Sequence, residues 1–138
     1  MDLKETIRSI PDWPIKGVIF RDLTTLMQNP LAFKKSCDIL YDRYKDMSID
    51  KIVGIDARGF VFGAVLAYKL GIGFIPVRKK GKLPWKTIQE TYSLEYGEDT
   101  LEIHEDAVEK GEKVVIVDDL IATGGTVGAT VKLVKKLE

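Results

Sequence analysis

The chain has 138 residues, of which 45% are hydrophobic and 30% charged, and this length and composition predict a single domain over residues 1–138. Its 21 lysines and arginines balance 21 aspartates and glutamates, so no overall field favours nucleic acid or an anionic membrane surface. The lone Cys37 excludes an internal disulfide, and the lack of a signal-like start or a long apolar run makes a cytoplasmic protein the expectation.

The first helix is predicted after Asn29 and Pro30, a typical cap residue and first-turn residue. Apolar side chains then recur at intervals of three and four, as on one buried stripe of a helix: Phe33, Cys37, Leu40, Tyr41 and Tyr44. The apolar neighbours of Cys37 in this stripe predict that it is a packing residue.

Two strands and a helix follow. Residues 51–55 and 74–77 are short apolar runs that predict buried strands, and residues 60–70 between them predict a mostly apolar helix that ends at Gly71. Residues 78–90, which contain Gly81, have no sustained periodicity and predict a mobile loop.

The last part of the chain returns to strands. Residues 92–96 and 101–104 predict two strands separated by Gly97, and residues 114–117 predict a third, continuous β-branched strand. A helix then runs through three regularly spaced residues, Val127, Val131 and Val134. Strands that alternate with helices predict an α/β fold with a mainly parallel sheet flanked by helices.

The most informative stretch is VVIVDDLIATGGT, residues 114–126. A strand delivers Asp118 and Asp119 to its carboxyl end, where open parallel sheets bind ligands. The chain then turns through Gly124 and Gly125 into a helix whose first amides can bind a phosphate. The pattern predicts a site for one phosphate monoester beside acceptors for sugar hydroxyls. The alternative, a strand end and a turn with no ligand, fits the glycine pair alone but not the whole ordered string.

This string resembles the phosphoribosyl pyrophosphate signature of the type I phosphoribosyltransferases. The resemblance implies that Asp118 and Asp119 hold the ribose 2′ and 3′ hydroxyls. It also implies that one loop wraps the 5′-phosphate, formed by Ala122, Thr123, Gly124, Gly125 and Thr126.

Three further segments are similar to the adenine-specific branch of that family: GVIFRD, DARGF, and RKKGKLP with YSLEYG. The resemblance covers nearly the whole chain. It implies transfer of the phosphoribosyl group to adenine, giving AMP and pyrophosphate in purine salvage, by a homodimer. It also implies Mg²⁺ that is held by the substrate pyrophosphate and water, with no direct protein ligand.

The resemblance also assigns residues to the pyrophosphate. Arg58 in DARGF faces it, in a loop that often carries a cis peptide, here near Asp56 and Ala57. The lid over the substrate contributes three cations: Arg78, Lys79 and Lys82. Read without the resemblance, such a basic run is usually a solvated loop.

The base and the reacting centre are assigned in the same way. Glu95 is the candidate general acid or base, and Tyr96 shields the cationic sugar. Adenine is expected in a small N-terminal hood formed around Ile19, Phe20 and Arg21, with Phe20 as the stacking ring. Phe20 as ordinary core packing stays open.

Two rival functions also stay open: a sister phosphoribosyltransferase for another base, and a non-enzymatic regulator that binds phosphoribosyl pyrophosphate. Family members usually continue past the phosphate-loop helix, whereas this sequence ends at Glu138. We therefore expect part of the base pocket and of the sheet edge to be missing, and an inactive fragment is a third possibility.

Overall fold

The structure is a computed structural model, and it describes residues 2–94, 96–119 and 124–137. The chain divides into two compact units, Met1–Arg43 and Tyr44–Glu138. A single domain over the whole chain stays a prediction. Within the described residues, no helix combines the length and the apolar character that a membrane span requires.

The first unit contains a small hairpin and two helices. A 3₁₀ turn, Leu3–Thr6, precedes strand β1, Arg8–Pro11, which pairs antiparallel with β2, Ile19–Asp22. Helix α1, Thr24–Gln28, comes next, and helix α2, Pro30–Tyr44, follows it.

Helix α2 begins where the sequence predicts it. The Asn29 side-chain oxygen accepts hydrogen bonds from the amides of Leu31 and Ala32, both at 3.1 Å, so it satisfies two donors of the first turn. Cys37 is buried, and the other members of its stripe are half-buried. The expected packing role of Cys37 is confirmed. The five-residue helix α1 was not predicted, because it is too short to give a periodic pattern.

The second unit is a five-stranded sheet with two helices. Its strands are β3 Lys51–Ile55, β4 Gly73–Lys79, β5 Thr87–Ser93, β6 Glu98–His104 and β7 Val114–Val117. Its helices are α3 Arg58–Leu70 and α4 Gly125–Leu137. The strand order is β5-β6-β4-β3-β7.

The sheet is mixed. Strands β4, β3 and β7 are mutually parallel, whereas β6 runs antiparallel to both β4 and β5. The α/β class with a sheet flanked by helices is therefore confirmed. Strand β3 lies inside the sheet, and four of its five residues are buried, as its unbroken apolar run requires.

The core of this unit lies between the sheet and helix α4. The strands contribute Val53, Ile55, Ile75, Val77, Leu101 and Ile103, and the helix contributes Ala129, Leu133 and Val134. This packing holds α4 against the sheet, so its first turn has a fixed position relative to the strand ends.

One segment differs from its prediction. Residues 78–90 were expected to form a loop, but Arg78 and Lys79 end β4, and Thr87 begins β5. The reason is long-range pairing, since β5 pairs with β6 along its whole length, from Thr87 opposite His104 to Ser93 opposite Glu98. Cross-strand pairing outweighs a weak local pattern. The connecting segment is thus residues 80–86.

Helix α3 approaches strand β7 closely at Gly59. A Cβ atom added at this position would lie 2.5 Å from the carbonyl oxygen of Val117 and 3.2 Å from the Cα of Asp118. We expect Gly59→Ala to lower the free energy of unfolding by about 1–3 kcal/mol, because backbone atoms must shift to admit the methyl group.

Urea unfolding measures this change. Gly128→Ala in α4 is the matched control, since no heavy atom lies within 4 Å of its added Cβ. There the substitution should leave stability unchanged or raise it by up to about 1 kcal/mol. Equal effects at the two glycines would contradict the close approach.

Candidate functional site

A cleft of about 560 Å³ opens at the carboxyl ends of the parallel strands. Parallel strands end at one edge of a sheet, so the residues that follow β3 and β7 meet there. The cleft is lined by Ile55 at the end of β3, by Asp56, Ala57 and Arg58 after it, and by Asp118 and Asp119 after β7. The end of β4, helix α4 and the hairpin of β5 and β6 complete the lining with Lys79, Thr126, Tyr92, Leu94, Asp99 and Leu101.

The paired acids of the sequence motif occupy the centre of this edge. The Asp119 amide donates a hydrogen bond to Oδ1 of Asp118 at 2.8 Å, and Oδ2 of Asp119 lies 2.6 Å from Nε of Arg58. The Asp119 side chain is only 8% exposed. Since a buried carboxylate is stable only with partners, the Arg58 ion pair holds the Asp119 side chain in place.

Asp118 is in a different electrostatic state. Burial and the neighbouring Asp119 carboxylate raise the pKa of Asp118 to about 6, although the Asp119 amide and Arg58 act in the opposite direction. Asp119 thus has a direct arginine partner, whereas Asp118 holds its proton into the mildly acidic range.

Three basic side chains of the edge each contact a carboxylate. The pairs are Arg58 with Asp119 at 2.6 Å, Arg78 with Asp56 at 2.8 Å, and Lys79 with Asp99 at 3.1 Å. The Asp99 carboxylate raises the pKa of Lys79, and Lys79 lowers the pKa of Asp99. The site thus holds its cations with internal anions, and a multivalent ligand anion would compete with these carboxylates.

The glycine pair lies at the start of α4. Gly124 adopts a φ of +84°, and its carbonyl accepts a hydrogen bond from the Gly128 amide at 2.8 Å. Gly124 and Gly125 line a smaller cavity of about 340 Å³. Thr126 lines the main cleft, where its hydroxyl lies 3.5 Å from that of Tyr92. Small residues and the first turn of a helix thus border open space.

The described residues place the other candidates as follows. The Asp56–Ala57 peptide bond is cis, as the resemblance predicts. Lys82 and Tyr96 are exposed, Tyr96 by 89%, and neither is among the residues that line the cleft. Glu95, Ala122 and Thr123 lie outside the described residues.

The candidate base-binding residues lie on β2 in the first unit. The Phe20 ring packs edge-on against Trp13, with ring centroids 4.6 Å apart, and Ile19 is 57% exposed. Nη1 of Arg21 donates a hydrogen bond to the Ser9 hydroxyl. Adenine binding by this strand stays a prediction.

Sequence reasoning missed two cleft residues, Tyr92 and Asp99, as parts of the site. They lie opposite each other in the pairing of β5 with β6. Tyr92 begins the YSLEYG segment but has no predicted role there, and Asp99 lies outside the quoted segments, so only the hairpin register brings the two together. The alternation of apolar and polar residues in 92–96 was the one available signal for Tyr92.

Comparisons with known proteins agree with this geometry. A family model described as the phosphoribosyl transferase domain matches residues 22–138. An adenine phosphoribosyltransferase of Desulfosudis oleivorans is 69% identical over 137 residues, which cover 99% of this chain and 79% of that protein. The chain belongs to the adenine phosphoribosyltransferase family.

Solved structures of the family have the same fold. The crystal structure from Thermoanaerobacter pseudethanolicus superposes with a TM-score of 0.93 at 53% identity, covering 98% of this chain and 78% of that one. The enzyme from Saccharomyces cerevisiae, solved with adenine and an imino-altritol bisphosphate, gives 0.92 at 44% identity, covering 99% and 80%. The likeness thus extends over both units of this family member.

The raised pKa of Asp118 predicts a pH-dependent stability. The folded protein binds this proton more tightly than an unfolded chain, where an aspartate titrates near about 3.9. The contribution of Asp118 to stability is therefore fully present below about pH 4 and is lost as the pH rises through about 6. We expect Asp118→Asn to be more stable than the parent at neutral pH.

Thermal unfolding at about pH 4.5 and about pH 7.5 measures this effect. The Tm difference, variant minus parent, should increase with pH, since the asparagine oxygen still accepts the Asp119 amide. A difference that stays constant across this range would mean that Asp118 titrates as an ordinary aspartate.

Proposed function

We propose that this chain transfers the 5-phosphoribosyl group of phosphoribosyl pyrophosphate to adenine, which gives AMP and pyrophosphate in purine salvage. One observation carries the proposal: Asp118, Asp119 and Arg58 line one cleft with the first turn of α4. This arrangement offers acceptors for sugar hydroxyls, a cation for pyrophosphate and a helix start for a phosphate.

In the proposed reaction a nitrogen of adenine attacks the anomeric carbon of ribose. The bond from that carbon to the pyrophosphate oxygen breaks, and pyrophosphate leaves with the electron pair. Positive charge develops on the sugar in the transition state. Asp118 and Asp119 hold the ribose hydroxyls and lower the energy of this charge, because carboxylates near a developing cation stabilise it. The Arg58 pair keeps Asp119 oriented for this role.

Pyrophosphate is bound by the cations of the edge. Arg78 and Lys79 exchange their carboxylate partners for pyrophosphate oxygens. Arg58 contacts pyrophosphate while it keeps its pair with Asp119, and Lys82 joins them from the segment 80–86. Such an exchange keeps each cation paired before and after binding. Closure of that segment over the substrate excludes water, which would otherwise hydrolyse the cationic sugar.

Mg²⁺ is proposed to enter with the substrate. Among residues 2–94, 96–119 and 124–137, no group of three His, Cys, Asp or Glu side chains has the arrangement of a metal site. Asp119, moreover, already pairs with Arg58. These donors fit an ion held by pyrophosphate oxygens and water, as is common for Mg²⁺. The ion supplies charge neutralisation of the leaving pyrophosphate.

The base-side roles belong to the same proposal. Phe20 stacks on adenine between Ile19 and Arg21, Glu95 transfers the proton at the base, and Tyr96 shields the sugar. The likeness to the family supports these roles, and it also supports a homodimer that acts in the cytoplasm.

A product assay tests the proposal. The chain is mixed with Mg²⁺, phosphoribosyl pyrophosphate and one base at a time, and nucleotide and pyrophosphate are measured. We expect product from adenine alone. Product from hypoxanthine, guanine or orotate would indicate a sister enzyme, and substrate binding with no product would indicate a regulator or an inactive fragment.

The first prediction from this proposal concerns Asp119. We expect Asp119→Asn to lower kcat by about 10²-fold, because it removes one charge that stabilises the transition state. The Tm should fall as well, because the neutral asparagine weakens the buried pair with Arg58, so kcat is compared at a temperature at which both proteins are folded. Asp106→Asn, at an exposed position, is the control. Parent-like turnover in Asp119→Asn would remove Asp119 from its role.

The second prediction concerns the counter-ion of Lys79. Asp99→Asn removes the carboxylate that pairs with the Lys79 ammonium. The asparagine oxygen can still accept the hydrogen bond that the Thr100 amide donates to Asp99 at 2.9 Å. We expect the affinity for inorganic pyrophosphate with Mg²⁺ to rise about fivefold, as loss of about 1 kcal/mol of competing attraction predicts.

Isothermal titration at low and high salt measures the affinity. Glu98→Gln, an exposed acid on the same strand, removes the same charge without releasing Lys79. An equal gain in pyrophosphate affinity in both variants would reflect net charge alone. The gain specific to Asp99→Asn should shrink at high salt.

A further inference from the structure

The segment that carries Lys82 crosses a strand. Strands β4 and β5 lie on opposite sides of β6 in the sheet order β5-β6-β4. Residues 80–86, which we name the crossover loop, connect β4 to β5 and must therefore pass over the β6 strand. Contacts with the strand below therefore set the path of this loop.

Glu102 lies on β6 beneath this crossing and is only 8% exposed. Its Oε1 accepts a hydrogen bond from the Gly81 amide at 2.6 Å, and its Oε2 accepts one from the Thr87 hydroxyl at 2.6 Å. One carboxylate thus joins the two ends of the crossover loop. These two donors lower the pKa of Glu102, so the side chain stays ionised at neutral pH.

Further hydrogen bonds join the crossover loop to β6 and to the residue that follows it. The Lys80 amide donates to the Thr100 carbonyl at 3.0 Å, and the Glu105 amide donates to the Lys86 carbonyl at 3.1 Å. Nε2 of His104 lies 2.7 Å from the Pro84 carbonyl oxygen. Strand β6 therefore holds the loop at its ends and near its middle, and Glu102 is a buried side chain in this set.

A chain of hydrogen bonds connects Glu102, through the crossover loop, to Asp56 in the cleft. The Lys82 amide donates to the Lys79 carbonyl at 3.1 Å, which closes a turn around Gly81. The Lys82 carbonyl lies 3.5 Å from Nη1 of Arg78, and Nε of Arg78 pairs with Asp56 at the cleft. A shift of Gly81 would thus move Lys82 and disturb Arg78.

Stability alone does not account for a carboxylate at this position. Burial of a charge is costly, and an apolar side chain of similar volume often serves a core equally well. A carboxylate differs from an apolar side chain in that it accepts two directed hydrogen bonds, here from both ends of one loop.

We propose that Glu102 is a positioning residue for pyrophosphate: it fixes Gly81 and Thr87 and so holds the crossover loop where Lys82 reaches the substrate. This inference rests on the proposed function. Glu102 itself contacts no substrate and acts through Lys82 and Arg78.

Two substitutions of Glu102 distinguish the effect of its hydrogen-bond acceptors from the effect of its charge. Glu102→Met keeps the length of the side chain and removes both acceptors. Glu102→Gln retains one acceptor for the Gly81 amide, while its own amide donates to the Thr87 hydroxyl. We expect Glu102→Met to raise KM for phosphoribosyl pyrophosphate about tenfold with a smaller change in KM for adenine, and Glu102→Gln to stay within about twofold. The exposed Glu105→Met is the control.

A double-mutant cycle with Lys82→Ala tests the route of the effect. If Glu102 acts through Lys82, Glu102→Met should add little to the loss caused by Lys82→Ala. Fully additive losses would overturn the proposal, as would a parent-like KM in Glu102→Met. A loss in Glu102→Gln as large as in Glu102→Met would also overturn it, because charge and not loop geometry would then be responsible.

Limited trypsin digestion measures how readily the crossover loop opens and needs no enzyme assay. Cleavage after Lys80, Lys82 and Lys86 should be faster in Glu102→Met than in the parent at equal global stability. If Glu102→Met does not fold, Thr87→Val, which removes one of the two bonds, takes its place in each measurement. Should the parent form no AMP, the proposed function fails, while unchanged cleavage is the result that removes Glu102 from its role in the loop.

Discussion

The ion pair between Arg58 and Asp119 joins the segments that follow two neighbouring parallel strands. Gly54 of β3 lies opposite Val117 of β7, so the chain leaves both strands at one edge of the sheet. Gly59 permits the close approach of α3 to β7 that puts Arg58 within 2.6 Å of Asp119. Loss of one partner from a mostly buried ion pair is strongly destabilising. The pair therefore fixes the relative position of the two segments, and the rest of the cleft is arranged around it.

Ion pairs of the same kind explain how three basic side chains can lie at one edge of the sheet. Arg58, Arg78 and Lys79 lie along one edge and would repel one another without carboxylates between them. Each has an acidic partner from a different segment, which lowers that repulsion and holds the side chain near its place. A multivalent anion that binds here would compete with these carboxylates, so only part of its charge would contribute to affinity.

The sequence predicted the parts of the site that are local in the chain. The string from Val114 to Thr126 contains its strand, its acids and its helix start within thirteen residues, and buried strands such as β3 have a continuous apolar pattern. Other parts depend on residues far apart in sequence. The extent of β5 and the meeting of Tyr92 with Asp99 follow from the register with β6, which no single segment encodes. The Arg78 and Asp56 pair arises likewise from the parallel alignment of β3 and β4.

The carboxylates of the second unit differ in how readily an incoming anion can compete for their partners. Asp56 and Asp99 are partly exposed and face cations, so an incoming phosphate competes directly for their partners. Glu102 is buried and accepts from a backbone amide and a hydroxyl, which are neutral and shielded from the cleft. A phosphate gains little from these donors, because they are neutral and already hydrogen-bonded to Glu102. Asp56 and Asp99 can therefore exchange their cations with an incoming anion, whereas Glu102 holds the two ends of the crossover loop.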